Sequence, residues 1–277
     1  MARIRQENAP AFSEVIVWKA LLYICTALVI LFMVLPIIAI LPLSINGSQF
    51  LAYPLRGFST RWYFELFNSP KWSMAIWNSM LIGVVSASIA TVLGTLAAVG
   101  LSMSDYRGKG AVMAFLLSPM VVPVVVFGVG LALFLGPLGL SRTYLSIMAA
   151  HAALGSPFVL VTVSAALASF DHNLTRAAAN LGASPLYAFR RVMLPLILPG
   201  VLSGAIFAFA TSFDEVITVM MIGGPEHRTL PREMFAAIRE NLSPTIAAAA
   251  TVMTVVATIL VATVEVLKRR QPKMLDK

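Results

Sequence analysis

The sequence predicts an all-α integral membrane protein with six transmembrane helices, and three observations carry that expectation. Of the 277 residues, 59% are hydrophobic and 12% charged, with a mean hydropathy of +0.87. That leaves too little polar surface to cover a soluble globule. Crossing roughly 30 Å of hydrocarbon takes about 20 helical residues, and six apolar runs are that long, near 17–43, 73–102, 111–135, 143–168, 194–222 and 245–267. Lysine and arginine then orient them. With the N-terminus cytoplasmic, the inner segments hold thirteen of the twenty: Arg3, Arg5, Lys19, Arg107, Lys109, Arg176, Arg190, Arg191, Lys268, Arg269, Arg270, Lys273 and Lys277. The outer segments hold Arg56, Arg61, Lys71, Arg142, Arg228, Arg232 and Arg239. This is the positive-inside bias. The formal net charge of +8 therefore reads as membrane topology, and basic residues scattered over separate loops argue against nucleic-acid binding.

Residues 1–16 form a short polar tail. The first span is too long and too deep in the chain for a cleaved signal peptide and is expected as a retained anchor. Pro36 and Pro42 bend or end it before the turn at Asn46-Gly47-Ser48. Cys25, the single cysteine, excludes a disulfide within the chain and reads as small apolar filler. The outer loop 46–71 offers Phe58, Trp62 and Tyr63 to the membrane interface. In the second span, Gly83, Ser86, Ser88, Ala90, Gly94 and Ala97 allow close helix packing, the main source of association in lipid. Residues 104–110 make a tight cytoplasmic connection. Pro119 and Pro123 should distort the third span. A kink at membrane depth either lines a cavity or packs on protein, which makes the two prolines candidates for a path. His151, near the middle of the fourth span, lacks a second ligand at helical spacing and is expected to hydrogen-bond across the bundle rather than bind metal.

Residues 171–195 are the main polar interruption. Asp171 or Asn173 can cap a short helix, Leu174–Leu181 are mostly good helix formers, and Gly182 supplies the left-handed stop. Ser184-Pro185 starts a second helix, with Leu186, Phe189 and Met193 on one face and Arg190 and Arg191 near its C-terminal end. The fifth span offers Gly200-x3-Gly204 as a packing face and then Asp214 and Glu215. An acid at the centre of a span costs roughly 2.5–3.5 kcal/mol, so such residues face water, a partner or a substrate. Adjacent helical residues point about 100° apart, so at most one of the pair looks straight into a pore. The alternative is that both are paired structurally. Residues 232–241 should form an amphipathic helix with Met234, Phe235 and Ile238 inward. The sixth span ends in Lys268-Arg269-Arg270, a cytoplasmic stop signal.

The stretch Arg176-Ala177-Ala178, three residues, Gly182, nine residues, Val192, one residue, Leu194-Pro195 resembles the EAA loop of permease subunits in binding-protein-dependent ABC importers. Its departures are Arg176 for the usual Glu and Val192 for Ile. Ser59-Thr60-Arg61-Trp62-Tyr63, and Gly224-Pro225 followed by Thr229-Leu230-Pro231, are similar to segments of the polyamine (spermidine/putrescine) branch. The resemblance implies a type I importer permease fold in a bacterial inner membrane, residues 17–267 forming the transmembrane domain between cytoplasmic tails 1–16 and 268–277. Its coupling loop, 169–193, would dock a coupling helix on the ATP-binding subunit through Arg176, Ala177, Ala178, Leu181, Gly182 and Ala183. The family's Glu would meet a basic residue there, a pairing that Arg176 does not offer. Further implied partners are a dimer of ATP-binding subunits, a second homologous permease and an extracytoplasmic solute-binding protein. No Gly-x4-Gly-Lys-Ser/Thr loop occurs and no catalytic constellation or metal cluster stands out. The chain is thus expected to be a transport subunit rather than an enzyme and to hold no cofactor, with ATP and Mg on the partner. Asp214, Glu215, Pro119 and Pro123 are the expected path residues. A cationic polyamine suits them; an amino-acid derivative or, on a different mechanism, an ion-coupled secondary transporter are the alternatives.

Overall fold

The structure is a computed structural model that describes the backbone of residues 12–240 and 242–269, and the side chains of 17–240 and 242–267. Most of the two expected tails, and Asn241, lie outside those residues. The first helix, α1 (Phe12–Leu43), begins inside the stretch expected as tail, and the last, α12 (Thr245–Arg269), runs two residues past the expected span.

The core is a three-helix contact among α3 (Pro70–Met103), α6 (Tyr144–Ala168) and α9 (Leu194–Asp214). Small residues set its closeness. A Cβ on Gly94 of α3 would lie 2.7 Å from Cβ of Val159, and one on Gly204 of α9 would lie 2.8 Å from its Cα. Val159 of α6, fully buried, is thus clamped by a glycine from each neighbour, which is how helices gain contact where lipid offers little hydrophobic driving force. Gly200 likewise presses on Ala166 and Thr162, as the Gly200-x3-Gly204 spacing predicts. α12 packs on α9, and α1, exposed at nearly all of its described side chains, lies against α12. An all-round apolar helix of this kind is suited to lipid.

Two spans differ from expectation. The third is two helices, α4 (Lys109–Val121) and α5 (Val124–Leu135), meeting at 102°. The reason is Pro123, which disfavours the helical conformation at Val122 before it, and Val122 is extended there (ψ 127). Among the described residues five helices are long and apolar enough to cross a membrane, six when the bent pair is counted as one span. The fifth span ends at Asp214 and resumes as the short α10 (Ile217–Ile222), which packs on α5 and α6.

One end of the bundle carries most of the loops, with α2 (Arg61–Asn68) and α11 (Leu230–Glu240) packed on α3 and α12. In α11 the expected inward face is corrected. Phe235 and Ile238 are exposed, while Leu230, Glu233 and Ala237 are buried and Met234 is half-buried. The physical reason is an ion cluster: buried Glu233 lies 2.7 Å from Lys71 Nζ and 3.1 Å from Arg228 Nη1, which draws the helix in by its acid rather than by its ring. The opposite end carries residues 171–192.

Candidate functional site

The interruption of the fifth span follows from its own residues. Glu215 is extended (φ −74, ψ 124). Its Oε1 accepts from the N–H groups of Ile217 (2.9 Å) and Thr218 (3.1 Å), and its Oε2 from Thr218 N–H at 2.9 Å. A carboxylate thereby satisfies donors that the start of α10 would otherwise leave orphaned. From α6, His151 brings Nε2 to 3.5 Å of Glu215 Oε2, while its Nδ1 and Ser212 Oγ of α9 lie 2.7 Å apart. The cross-bundle bond expected of His151 is present. Its depth is corrected: His151 lies seven residues into α6, about 10 Å from the loop-rich end at 1.5 Å per residue, not at mid-span.

Beside this break lies a cavity of about 680 Å³, lined by Val124 of α5, Thr211, Phe213, Asp214, Glu215 and Ile217 around the break, and Met253, Thr254, Ala257 and Leu260 of α12 among others. Asp214 is exposed and Glu215 mostly covered. The two acids therefore share one cavity wall while only one is free. Pro119 and Pro123 are not on the lining; Pro123 is exposed at the corner that turns α5 so that Val124 reaches the cavity. Thr211, Thr254 and Phe213 were not anticipated as cavity residues. Thr254 donates to Ala250 O at 2.8 Å, so its hydroxyl is internally satisfied, and a threonine within an apolar run gave no signal of a cavity.

At the other end, α7 (Asn173–Asn180) is closed by a Schellman motif: Ala183 N–H donates to Ala178 O (3.0 Å) and Gly182 N–H to Ala179 O (2.9 Å), with Gly182 at φ +84. Ser184 caps α8, accepting from Tyr187 N–H at 3.3 Å as expected, whereas the N-cap of α7 is His172, with Asp171 one residue ahead of it accepting from Asn173 N–H at 2.9 Å. The second helix is not separate, however. The short α8 (Pro185–Ala188) passes through a π turn, Phe189–Met193, directly into α9. Leu194 N–H reaches back to Phe189 O. The wider turn accommodates Pro195, which has no N–H to give and whose ring would crowd an α-helical carbonyl. Arg190 and Arg191 consequently sit inside a continuous helix, not at a helix end. Leu174, Ala177 and Leu181 form an exposed i, i+3, i+7 stripe, with Leu181 90% exposed. Arg176 and Ala183 are off that stripe, lining a cavity of about 480 Å³ against Leu96, Val99 and Met103 of α3. Ala178 is half-buried.

Residues 90–273 match the family of binding-protein-dependent transport system inner membrane components. The chain belongs to that family. It is a permease subunit, the translocating membrane component of an ABC importer, and not itself an enzyme. It is 32% identical over 242 residues, covering 87% of this chain and 91% of the relative, to the spermidine/putrescine transport system permease protein PotC of Escherichia coli strain K12. It is 33% identical over 229 residues, 80% of this chain and 81% of the relative, to the putrescine transport system permease protein PotI of the same strain. In fold it is similar to a chain of a bacterial ABC transporter that imports the acidic polysaccharide alginate, with a TM-score of 0.68 at 18% identity over 93% of this chain and 99% of that one. The type I importer permease fold expected from the sequence is thus the fold found.

Proposed function

We propose that this permease forms half of the translocation path for a polyamine or a similar small cationic solute. The observation that carries the reading is the cavity at the interrupted span, whose aliphatic and Phe213 walls suit a methylene chain and whose free carboxylate, Asp214, suits an ammonium group. The relatives PotC and PotI, both named for polyamine transport, support the same cargo class. Asp214 and Glu215 stand at the wall of the path, and Pro123 shapes it by turning α5 toward it, with Pro119 just before the corner in α4.

In this reading the loop-rich end is extracytoplasmic and receives the solute-binding protein, while 171–192 and both termini are cytoplasmic. A dimer of ATP-binding subunits holds ATP and Mg; this chain holds no cofactor. A second homologous permease supplies the other half of the path. The stripe of Leu174, Ala177 and Leu181, with Ala178, Gly182 and Ala183 closing the helix and Arg176 on its flank, is the contact through which closure of the ATP-binding subunits is passed to α9. Continuity of the helix from Pro185 to Asp214 gives that contact a rigid rod reaching the cavity.

The test is putrescine uptake into proteoliposomes holding both permeases and the ATP-binding subunits, with the solute-binding protein supplied on the receiving side. Uptake is expected only with ATP and with every component, and Gly182→Arg is expected to abolish it with the chain still inserted. Uptake by this chain alone, or retained cargo-stimulated ATP hydrolysis in Gly182→Arg, would overturn the reading.

A further inference from the structure

The two adjacent acids at the cavity are not equivalent. We propose that Glu215 is a positioning residue, fastened by a latch made of the Ile217 and Thr218 N–H groups with the Ser212–His151 pair packed against it, and that Asp214 is the one carboxylate of the pair that meets a cationic cargo. The second half of this statement rests on the proposed function; the first does not.

The latch is built from both sides of the break. Ser212 belongs to α9, before the interruption, and lies 2.7 Å from His151 Nδ1. Glu215 lies within the interruption, two residues before α10, and has its carboxylate 3.5 Å from His151 Nε2. Ser212 and His151 are buried off the cavity lining, and the Glu215 side chain, though on the cavity wall, is only 8% exposed. One imidazole on α6 therefore bonds the last turn of α9 at Ser212 and packs beside the Glu215 carboxylate. Glu215 is further engaged by the N–H groups of Ile217 and Thr218. A carboxylate with three short backbone contacts and an imidazole beside it has little acceptor capacity left for a cargo ammonium. Asp214 is the reverse case. It is exposed on the cavity wall, and among the described residues it has no hydrogen-bond or ion-pair partner. This half of the transporter then contributes one negative charge, and a diammonium cargo requires its second pole to be met elsewhere in the assembled path.

The capping role needs an oxygen acceptor but no charge, whereas reading an ammonium needs the charge. Uptake by the assembled complex separates them. Asp214→Asn is expected to raise the KM for putrescine by about tenfold or more, the loss of a hydrogen bond to a charged group. Glu215→Gln keeps an oxygen for Ile217 and Thr218 and is expected to leave KM within about twofold, because the net effect of a retained neutral hydrogen bond is small. Glu215→Ala is expected to lower both thermal stability and maximal rate, and Glu215→Gln to recover most of each. A Glu215→Gln complex as impaired in KM as Asp214→Asn, or an Asp214→Asn complex with wild-type KM, would overturn the proposal.

A second measurement needs no cargo. In a Cys25→Ala background, which removes the only cysteine, Asp214→Cys is expected to react with a membrane-impermeant charged thiol reagent and Glu215→Cys to resist it. Should the wild-type complex import no polyamine, the proposed function fails and this labelling still decides the latch: equal labelling, or faster labelling at 215, refutes it.

Discussion

The two ends of the bundle are held by different forces. At the loop-rich end, side chains bond across long stretches of sequence. Asn78 Nδ2 donates to the carbonyls of Glu226 (2.8 Å) and Arg228 (3.0 Å), Tyr144 Oη donates to Asn78 Oδ1 (2.9 Å), Leu230 N–H donates to Ser79 Oγ (2.7 Å), and Glu233 holds Lys71 and Arg228. At the other end, the side-chain bonds of 171–192 among the described residues all close within three positions, as in Asp171–Asn173 and Ser184–Tyr187. Beyond its continuity with α9, that segment is fixed by apolar contact of buried Ala188 and Met193 and half-buried Phe189. Buried polar networks specify one arrangement, whereas an exposed helix on a glycine stop and a few apolar contacts can be moved as a unit. The first end has the construction of a platform and the second that of a joint.

The contrast breaks most visibly at Glu233. Lys71→Met together with Arg228→Met leaves a fully covered carboxylate without cations, which is expected to cost about 3–5 kcal/mol, as for other buried pairs stripped of a partner. Thermal unfolding of the purified protein reads it. Adding Glu233→Met should restore most of the loss, since replacing a whole buried ion cluster by apolar residues is often neutral. If the double variant melts like the wild type, the platform does not depend on that cluster.

At the joint the expected stability effect is smaller and local. Gly182→Val places a β-branched residue at φ +84, about 1–2 kcal/mol above its preferred conformation, and should loosen the Schellman closure. Faster hydrogen exchange of the 181–183 amides reads it, with Gly182→Asn intermediate because asparagine visits that region more readily. Equal exchange in both variants would show that the closure does not need the left-handed residue.

Smaller again is a pH effect at the platform. Burial, more than the nearby Arg232, pushes the His227 imidazole below its ordinary value, with Glu226 opposing. Its Nδ1 accepts from Gly224 N–H at 3.2 Å, a bond available only when that nitrogen carries no proton. This favours the neutral ring despite Glu226 Oε1 at 3.1 Å. The folded protein therefore binds the proton less readily than the unfolded chain. His227 contributes its full stability above the unfolded value of about 6.5, and loses it as pH falls from there toward the lowered folded value. Melting temperature should drop over that window, and His227→Gln should flatten the drop. An unchanged pH profile in the variant would remove His227 from the account.

Much of this architecture is legible in the sequence, and what is not has physical causes. Apolar run length locates the spans, and Ser184-Pro185 and Gly182 mark the joint, because these signals act within a few residues. The break at Glu215 is hidden in a mostly apolar run, 194–222, whose only charged residues are two acids. Glu215 two residues ahead of Ile217 was its only local sign, and the imidazole that completes the arrangement comes from residue 151. The inward face of α11 escapes the sequence for the same reason: periodicity sends a glutamate to water unless cations are known to wait inside, and Lys71 lies far away in the chain. Pro195 signals a helix boundary, but the folded backbone absorbs it in a π turn over Phe189–Met193 and continues as helix, which no spacing rule anticipates.

The substitution that separates the two ends most cleanly has almost no effect on folding. Leu181 is 90% exposed and touches no core cluster, so Leu181→Asp removes little that the folded chain uses, and surface changes of this kind stay within about 0.5 kcal/mol. If residues 173–183 are a joint for a separate subunit, that same change puts a charge into a dry contact, where an unpaired ionised group is strongly disfavoured. The variant should melt with the wild type yet lose cargo-stimulated ATP hydrolysis in the reconstituted complex. A comparable aspartate on the platform's exposed face, Ile238→Asp, should leave the association with the ATP-binding subunits intact. Loss of that association in both variants would mean that the two ends are not mechanically distinct; retention in both would leave the exposed leucine stripe without a partner.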